Sequence, residues 1–233
     1  LLFEPASTAT IDVFAQDLGF TDTDISGIAN GANRVLIGGE LLQFLRAEPL
    51  GSERWRLAGL LRGRGGTEPA AALGHPAQTP VIMIDDRLTA LDPLLVPPLA
   101  SSRVAAIGTG DAEPVIAPLA NPGLSCRPPC PVHARAWLEA DQAFHYSWTR
   151  RGRGQWRWND SVEVPLVEER EAYLVGYGPT DAPYATWQRY ASWLRLTLPE
   201  RGALVAVHGS AALWVRQIGT FDHSTALLLA KFS

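Results

Sequence analysis

Apolar and polar positions in this chain alternate in short runs broken by glycine, proline and small polar residues. The clearest pattern fills residues 36–68, LIGGELLQFLRAEPLGSERWRLAGLLRGRGGTE. An apolar run at 41–45, with Gln43 inside it, leads into the turn-rich segment Glu48-Pro49-Leu50-Gly51-Ser52, and a second run follows at 55–61. Two β-prone runs joined by a short Pro/Gly/Ser connection predict a hairpin. In the second run Trp55 and Leu57 share one parity, and Arg54 and Arg56 share the other. A period of two describes a strand with one buried and one wet face. Arg62-Gly63-Arg64-Gly65-Gly66 closes the stretch as a turn.

The same pattern, weaker, predicts strands at 11–14, 81–84 and 104–107. Residues 22–33 open like a calcium loop, with oxygen side chains at Asp22 and Asp24 and glycine at 27. Position twelve is Asn33 where a bidentate glutamate is required, so a polar turn entering a strand is expected. Six prolines between 114 and 131 mark a boundary, giving domains at 1–124 and 125–233. Beyond it, short alternating runs at 132–137, 143–148, 161–165, 172–177, 193–198, 213–218 and 226–230 predict a β-sandwich. Residues 183–192 read equally as a short helix or a loop. The expected fold is therefore mainly β: an irregular β domain followed by a sandwich.

Composition sharpens this picture without changing it. The chain has 233 residues, 46% of them hydrophobic and 19% charged, enough to bury a core. Its 18 prolines and 21 glycines suit many short strands and turns. A net charge of −4 gives no reason to expect nucleic acid, and Lys231 is the only lysine. No apolar run reaches the ~18 residues of a membrane-spanning helix. The first residues have neither a basic segment nor an initiating methionine, so they are not read as a signal peptide and the chain is read as part of a longer protein.

Candidate chemistry is sparse. Cys126 and Cys130 flank Arg-Pro-Pro, without a second Cys or His pair at zinc spacing, and are read as free thiols. His75, His133, His145, His208 and His223 are scattered, and His133 and His145 fall in predicted strands with core-like neighbours. Ser210 lacks the nucleophile-elbow context, and Asp85 and Asp86, being adjacent, leave a strand on opposite faces. No enzyme signature emerges, and no metal or cofactor is expected. The arginine-glycine turns at 62–66 and 150–154 read as solvated turns or subunit contacts. Eight tryptophans are many for this length; Trp156 and Trp158 share a parity, so on a strand they face one way.

The longest motifs resemble a known family. ANGANRVLIGGELLQFLRAEPLGSERWRLAGLLRGRGGTE (29–68) is similar to the C-terminal region of the large tail-tip protein of gene transfer agents and related siphophages. Asn33, Glu40, Gln43, Phe44, Ala47, Leu60-Leu61-Arg62-Gly63 and Gly66-Thr67-Glu68 carry the likeness. It continues through HPAQTPVIMIDDRLTAL, RPPCPVHARA, FHYSWTRRGRGQWRWNDSVEVPLVEEREAYLV and WVRQIGT; residues 179–212, Cys126 and Cys130 depart from it. The resemblance implies a fibronectin-III-like sandwich, with Trp148 and Tyr173 in its core. It also implies a non-catalytic role in a phage-like tail tip assembled in the bacterial cytoplasm. The partners would be hub and neighbouring tip proteins, in a homotrimer, with possible contact to the host envelope. The hydrolase-like barrel of that family would lie upstream, and its activity passes to no residue here. Arg62, Arg64 and Glu68 are interface candidates. Trp156, Trp158 and Trp187 are too, and under an alternative reading, a carbohydrate-binding module, they become stacking platforms. A hydrolase, the third reading, requires a cavity joining a histidine to a carboxylate or serine.

Overall fold

The computed structural model describes residues 2–14, 19–51, 53–92, 94, 96–97, 101–153 and 165–232. Trp156, Trp158 and all but the last residue of the strand expected at 161–165 lie outside these. The described chain is mainly β and divides into two compact units, residues 2–121 and residues 122–153 with 165–232.

The first unit is built on the hairpin. β1 (Leu2–Asp12), β2 (Arg34–Ile37), β3 (Glu40–Gly51), β4 (Arg54–Arg64) and β5 (Val81–Ile84) form one antiparallel sheet in the order β1-β4-β3-β2-β5. Both hairpin strands run longer than their apolar centres, because Arg54 and Arg56 find cross-strand partners. Asp12 faces Arg54 and Glu48 faces Arg56 in register, and both pairs are salt-bridged on the wet face. The opposite face of the sheet turns inward. Leu42, Phe44, Leu57 and Leu60 join Ile11, Val35 and Ile37 in one core, with Phe20 edge-on to Phe44 and Trp55. Burying each such side chain stabilises by roughly 1.5–3 kcal/mol. β1 is far longer than the strand expected at 11–14. Pro5 masks its first half in the sequence, and there the structure carries a bulge between Glu4 and Thr8.

Residues 22–33 hold a one-turn helix, α1 (Ile25–Ala29), capped by the Asp24 carboxylate, which accepts from the Gly27 N–H at 2.7 Å. A second short helix, α2 (Glu68–Leu73), starts as the hairpin ends. β6 (Ser101–Ala106) and β7 (Val115–Ala120) form a separate two-stranded hairpin, so the proline-rich stretch opens on a strand, with Pro118 inside it.

The second unit is a sandwich of seven strands. β8 (Val132–Leu138), β9 (Phe144–Thr149) and β12 (Trp193–Leu196) form one sheet, ordered β12-β9-β8. β10 (Tyr173–Tyr177), β11 (Ala185–Arg189), β13 (Ala212–Gln217) and β14 (Leu227–Lys231) form the other, ordered β11-β10-β13-β14. Tyr146, Trp148, Leu194 and Leu196 of the first sheet meet Tyr173, Val175, Tyr177, Leu213 and Val215 of the second in one core. Trp148 lies edge-on to Tyr173, with ring centroids 5.2 Å apart. Trp214 lies across the strand from Gly176, where a Cβ would fall 2.1 Å from its ring. The undecided segment 183–192 holds a strand, β11. The reason is its alternate burial: Ala185, Trp187 and Arg189 lean inward, and Thr186 and Gln188 face water.

An eleven-residue helix, α3 (Leu198–His208), interrupts the strands where none was expected. Thr197 and Glu200 cap it reciprocally, Pro199 fills the first turn and Gly209 ends it. The expected strand at 193–198 therefore stops at Leu196. His133 and His145 are not core residues: His133 is exposed at a positive φ of 55°, and His145 is on the outer sheet face. Cys126 and Cys130 are not disulfide-bonded. Among the described residues no helix is long and apolar enough to cross a membrane.

The turn that ends β4 depends on one glycine. Gly63 has φ +60°, and a Cβ there would stand 2.9 Å from the Glu68 Cα, so strain and a backbone clash coincide. Gly63→Ala is expected to cost about 2 kcal/mol or more, read as a lower urea midpoint at unchanged m-value. A midpoint within error of wild type would contradict the close approach.

Candidate functional site

The hairpin end gathers the polar residues of the longest motif. Glu40, first residue of β3, is fully buried. Its Oε1 accepts from Arg62 Nε at 2.7 Å and from the Gly63 N–H at 2.9 Å. Its Oε2 accepts from an Arg62 terminal nitrogen at 2.7 Å and from His75 Nε2 at 2.6 Å. A carboxylate has no proton to give, so the imidazole nitrogen donates. Burial alone would push the Glu40 carboxyl up; hydrogen bonds from Arg62, His75 and Gly63, with the Arg62 charge, outweigh it and hold the carboxyl below its ordinary value.

Arg62 thus takes Glu40 as its carboxylate partner, extends to Glu4 at 3.6 Å and donates to the Ala71 carbonyl at the end of α2. Arg64, also buried, donates through Nε to Gln43 Oε1 at 2.9 Å. Gln43 in turn donates to the Ile28 and Ala32 carbonyls at 3.0 and 2.6 Å. Glu68 stands in the first turn of α2, half-buried against Gly63. The Thr67 hydroxyl accepts from the Leu41 N–H and donates to the Arg64 carbonyl. Arg62 and Arg64 are therefore internal ties of the first unit and present no free charge for a partner to read.

Beside this network, among the described residues, β1 and β5 are the outermost strands of the sheet and do not pair with each other. Between them run two adjoining cavities of about 620 and about 330 Å³. Both are walled by Thr10 and Ile11 of β1 on one side and by Gln78, Thr79 and Val81 on the other. Core side chains form the floor: Val35 and Met83 under the larger, Ile37, Leu42 and Leu60 under the smaller. Phe14 stands at the mouth of the larger cavity, 98% exposed.

The sandwich offers two further surfaces. Trp187, half-buried against the core, lines a groove of about 330 Å³ with Leu196, Leu204, Val207, Glu200 and His208. On the outer face of the three-stranded sheet, Trp137, His145 and Trp193 stack in a row, with centroid separations of 4.2 and 5.4 Å. Glu139 binds His145 Nδ1 at 3.0 Å and Arg195 Nε at 2.7 Å, and Arg195 also bonds Asp141. The rings cover each other's inner faces, so a sugar finds no room between them. Trp137, Trp193 and His145 had no signal in the sequence beyond strand parity.

Among the described residues no group of three His, Cys, Asp or Glu side chains can hold a metal. The histidine-carboxylate pair at Glu40 and His75 has its acceptor sealed from solvent and saturated with donors. It holds structure together and has no free oxygen for a substrate.

The lowered carboxyl fixes the pH response. Glu40 stabilises the fold above the ordinary carboxyl value of 4.5, and the contribution is lost as pH falls through its lowered value. Glu40→Gln is expected to cost about 3 kcal/mol at neutral pH, the lower end for breaking a buried pair, since Arg62 retains some access to water. Urea unfolding should show the gap to wild type closing as pH falls below 4.5; a gap independent of pH would mean that the charge is not what stabilises.

Residues 2–82 match the family model described as "Rcc01698-like, C-terminal". No curated protein matches. Among solved structures, domains d3–d4 of the rat CD45 extracellular region superpose at 7% identity over 68% of this chain and 76% of that one, with a TM-score of 0.31. So low a score carries nothing about fold or function. The family match covers β1 to β4 and enters β5, the sheet that holds the Glu40 network, and stops before the sandwich.

Proposed function

We propose that the chain is a non-catalytic structural component of a phage-like tail tip of the gene transfer agent type. It would dock on hub and neighbouring tip proteins, as a homotrimer in the particle, and help to present the tip to a host envelope. One observation carries this reading: the family match falls on residues 2–82, the stretch whose motifs resemble the tail-tip family. The chemistry of the hairpin supports it, since Arg62, His75 and Glu40 are spent on holding strands together. An assembly part needs a stiff frame and exposed apolar surface, and Phe14, Leu73 and Val115 provide the latter at 98%, 89% and 72% exposure.

The test is location in the particle. Antibodies raised against the purified chain are expected to decorate intact particles at the distal end of the tail in electron micrographs. Decoration elsewhere, or a chain missing from purified particles, would sink the proposal.

The carbohydrate-binding alternative keeps one observation, the Trp187 groove with Glu200 and His208 at its rim. Under it, titration with envelope oligosaccharides shifts the Trp187 indole resonance, and Trp187→Ala weakens binding at least tenfold. An indole that stays put at millimolar sugar removes that reading.

A further inference from the structure

One histidine of the sandwich sits between two partners that together leave it a single protonation form. His223 lies in the turn that follows β13, where Ile218 and His223 form a backbone bridge and the Gly219 N–H donates to the Asp222 carbonyl at 2.8 Å. Its Nε2 stands 2.8 Å from a terminal nitrogen of Arg216 on β13, and its Nδ1 stands 2.6 Å from Asp222 Oδ1. A guanidinium has no lone pair to offer, so Nε2 accepts; an ionised carboxylate has no proton, so Nδ1 donates. Only the neutral imidazole with its proton on Nδ1 satisfies both. Asp222 Oδ2 also binds Arg127 Nε at 2.6 Å. The series Arg127, Asp222, His223, Arg216 therefore ties the loop before β8 to the turn and the turn to β13. The Arg216 guanidinium also lies over the Trp214 ring, 5.2 Å from its centroid.

We infer that His223 is a proton-operated latch: a proton on Nε2 removes the acceptor of Arg216, sets two cations side by side and releases Arg216, while Asp222 keeps its bond to Nδ1. Histidine is the side chain whose charge changes between about pH 5 and pH 8. The groups around it leave that step to the imidazole. Burial alone would push the Asp222 carboxyl up; hydrogen bonds from the His223 backbone and ring, with the Arg127 charge, outweigh it and hold the carboxyl below its ordinary value of 3.8. Glu168 reaches the same turn through the Thr220 N–H at 2.8 Å and binds Arg153 at 2.7 Å. These bonds outweigh its burial and hold its carboxyl below 4.5. Both carboxylates therefore stay charged at about pH 5. From β10, Leu174 faces Arg216 and brings no charge. The protonated ring thus meets one anion, Asp222, already shared with Arg127, and stands against the Arg216 cation.

The test follows the whole chain, isotope-labelled, by NMR from about pH 8 to about pH 5. At the upper end the His223 ring is expected to carry its proton on Nδ1 and none on Nε2. As the ring titrates, the Arg216 guanidinium and Trp214 indole resonances shift with it. The Gly219 and Ser224 amides, which donate to Asp222 and Gln217, lose about threefold in protection from exchange, after correction for the intrinsic pH dependence. His223→Gln offers Arg216 a carbonyl oxygen that takes no proton in this range, so its Arg216 and Trp214 resonances are expected to stay in place. A ring protonated on Nε2 at the upper end overturns the latch. So do Arg216 resonances that ignore the His223 titration, and so does the same movement in His223→Gln. The latch stands or falls independently of where antibodies decorate the particle.

Discussion

A carboxylate taken out of water must be given back the hydrogen bonds and the counter-charge it has lost, and the first unit is arranged around that demand. Glu40 begins β3, Arg62 and Gly63 end β4, and His75 lies past α2. Satisfying one carboxyl therefore fixes the hairpin register, the hairpin exit and the path of the segment after α2. Gly63 contributes twice, through its N–H and through the missing side chain that lets Glu68 approach. The Gln43–Arg64 pair does for the other face of the hairpin what Glu40 does for the first, tying the 28–32 segment to the sheet. Buried polar groups of this kind contribute more to a unique arrangement than to net stability.

The sandwich follows a different rule. Its core is aromatic and its polar ties lie at the margins: Arg153 to Glu168, Arg127 to Asp222, Arg201 over the rings of Phe144 and Phe232. The single lysine leaves these tasks to arginine, whose planar fork can pair and stack at once.

Much of the strand inventory was legible because a half-buried strand writes its period of two into the chain. Trp55 and Leu57 against Arg54 and Arg56 located β4, and the alternating runs at 143–148 and 172–177 located β9 and β10. Where local signal and tertiary packing part company, the reading failed. β1 carries Pro5 and small polar residues that only the β4 edge turns into a strand. β11 lies in PYATWQRYAS, where period two is faint. α3 had a signal that went unread: Thr197-Leu-Pro-Glu200 with Gly209 beyond is a helix start and stop. The candidate site was visible as a motif and invisible as a network, since nothing in Arg62 tells that its partner is 22 residues back. Glu40, Gln43 and His75 could have been singled out as polar residues lodged in or near apolar runs, which need partners if buried.

The outermost strands of the five-stranded sheet also bear on self-association. A long, regular outer strand can pair with that of another copy, and stacked edges grow without limit. The sheet restrains this at its ends: Pro5 and the bulge interrupt β1, β5 is four residues long, and Pro80 stands just before it. These features keep the regular stretches of the two outer strands short, at residues 8–12 and 81–84. A longer β5, or a straightened β1, would lengthen the edge along which copies could stack.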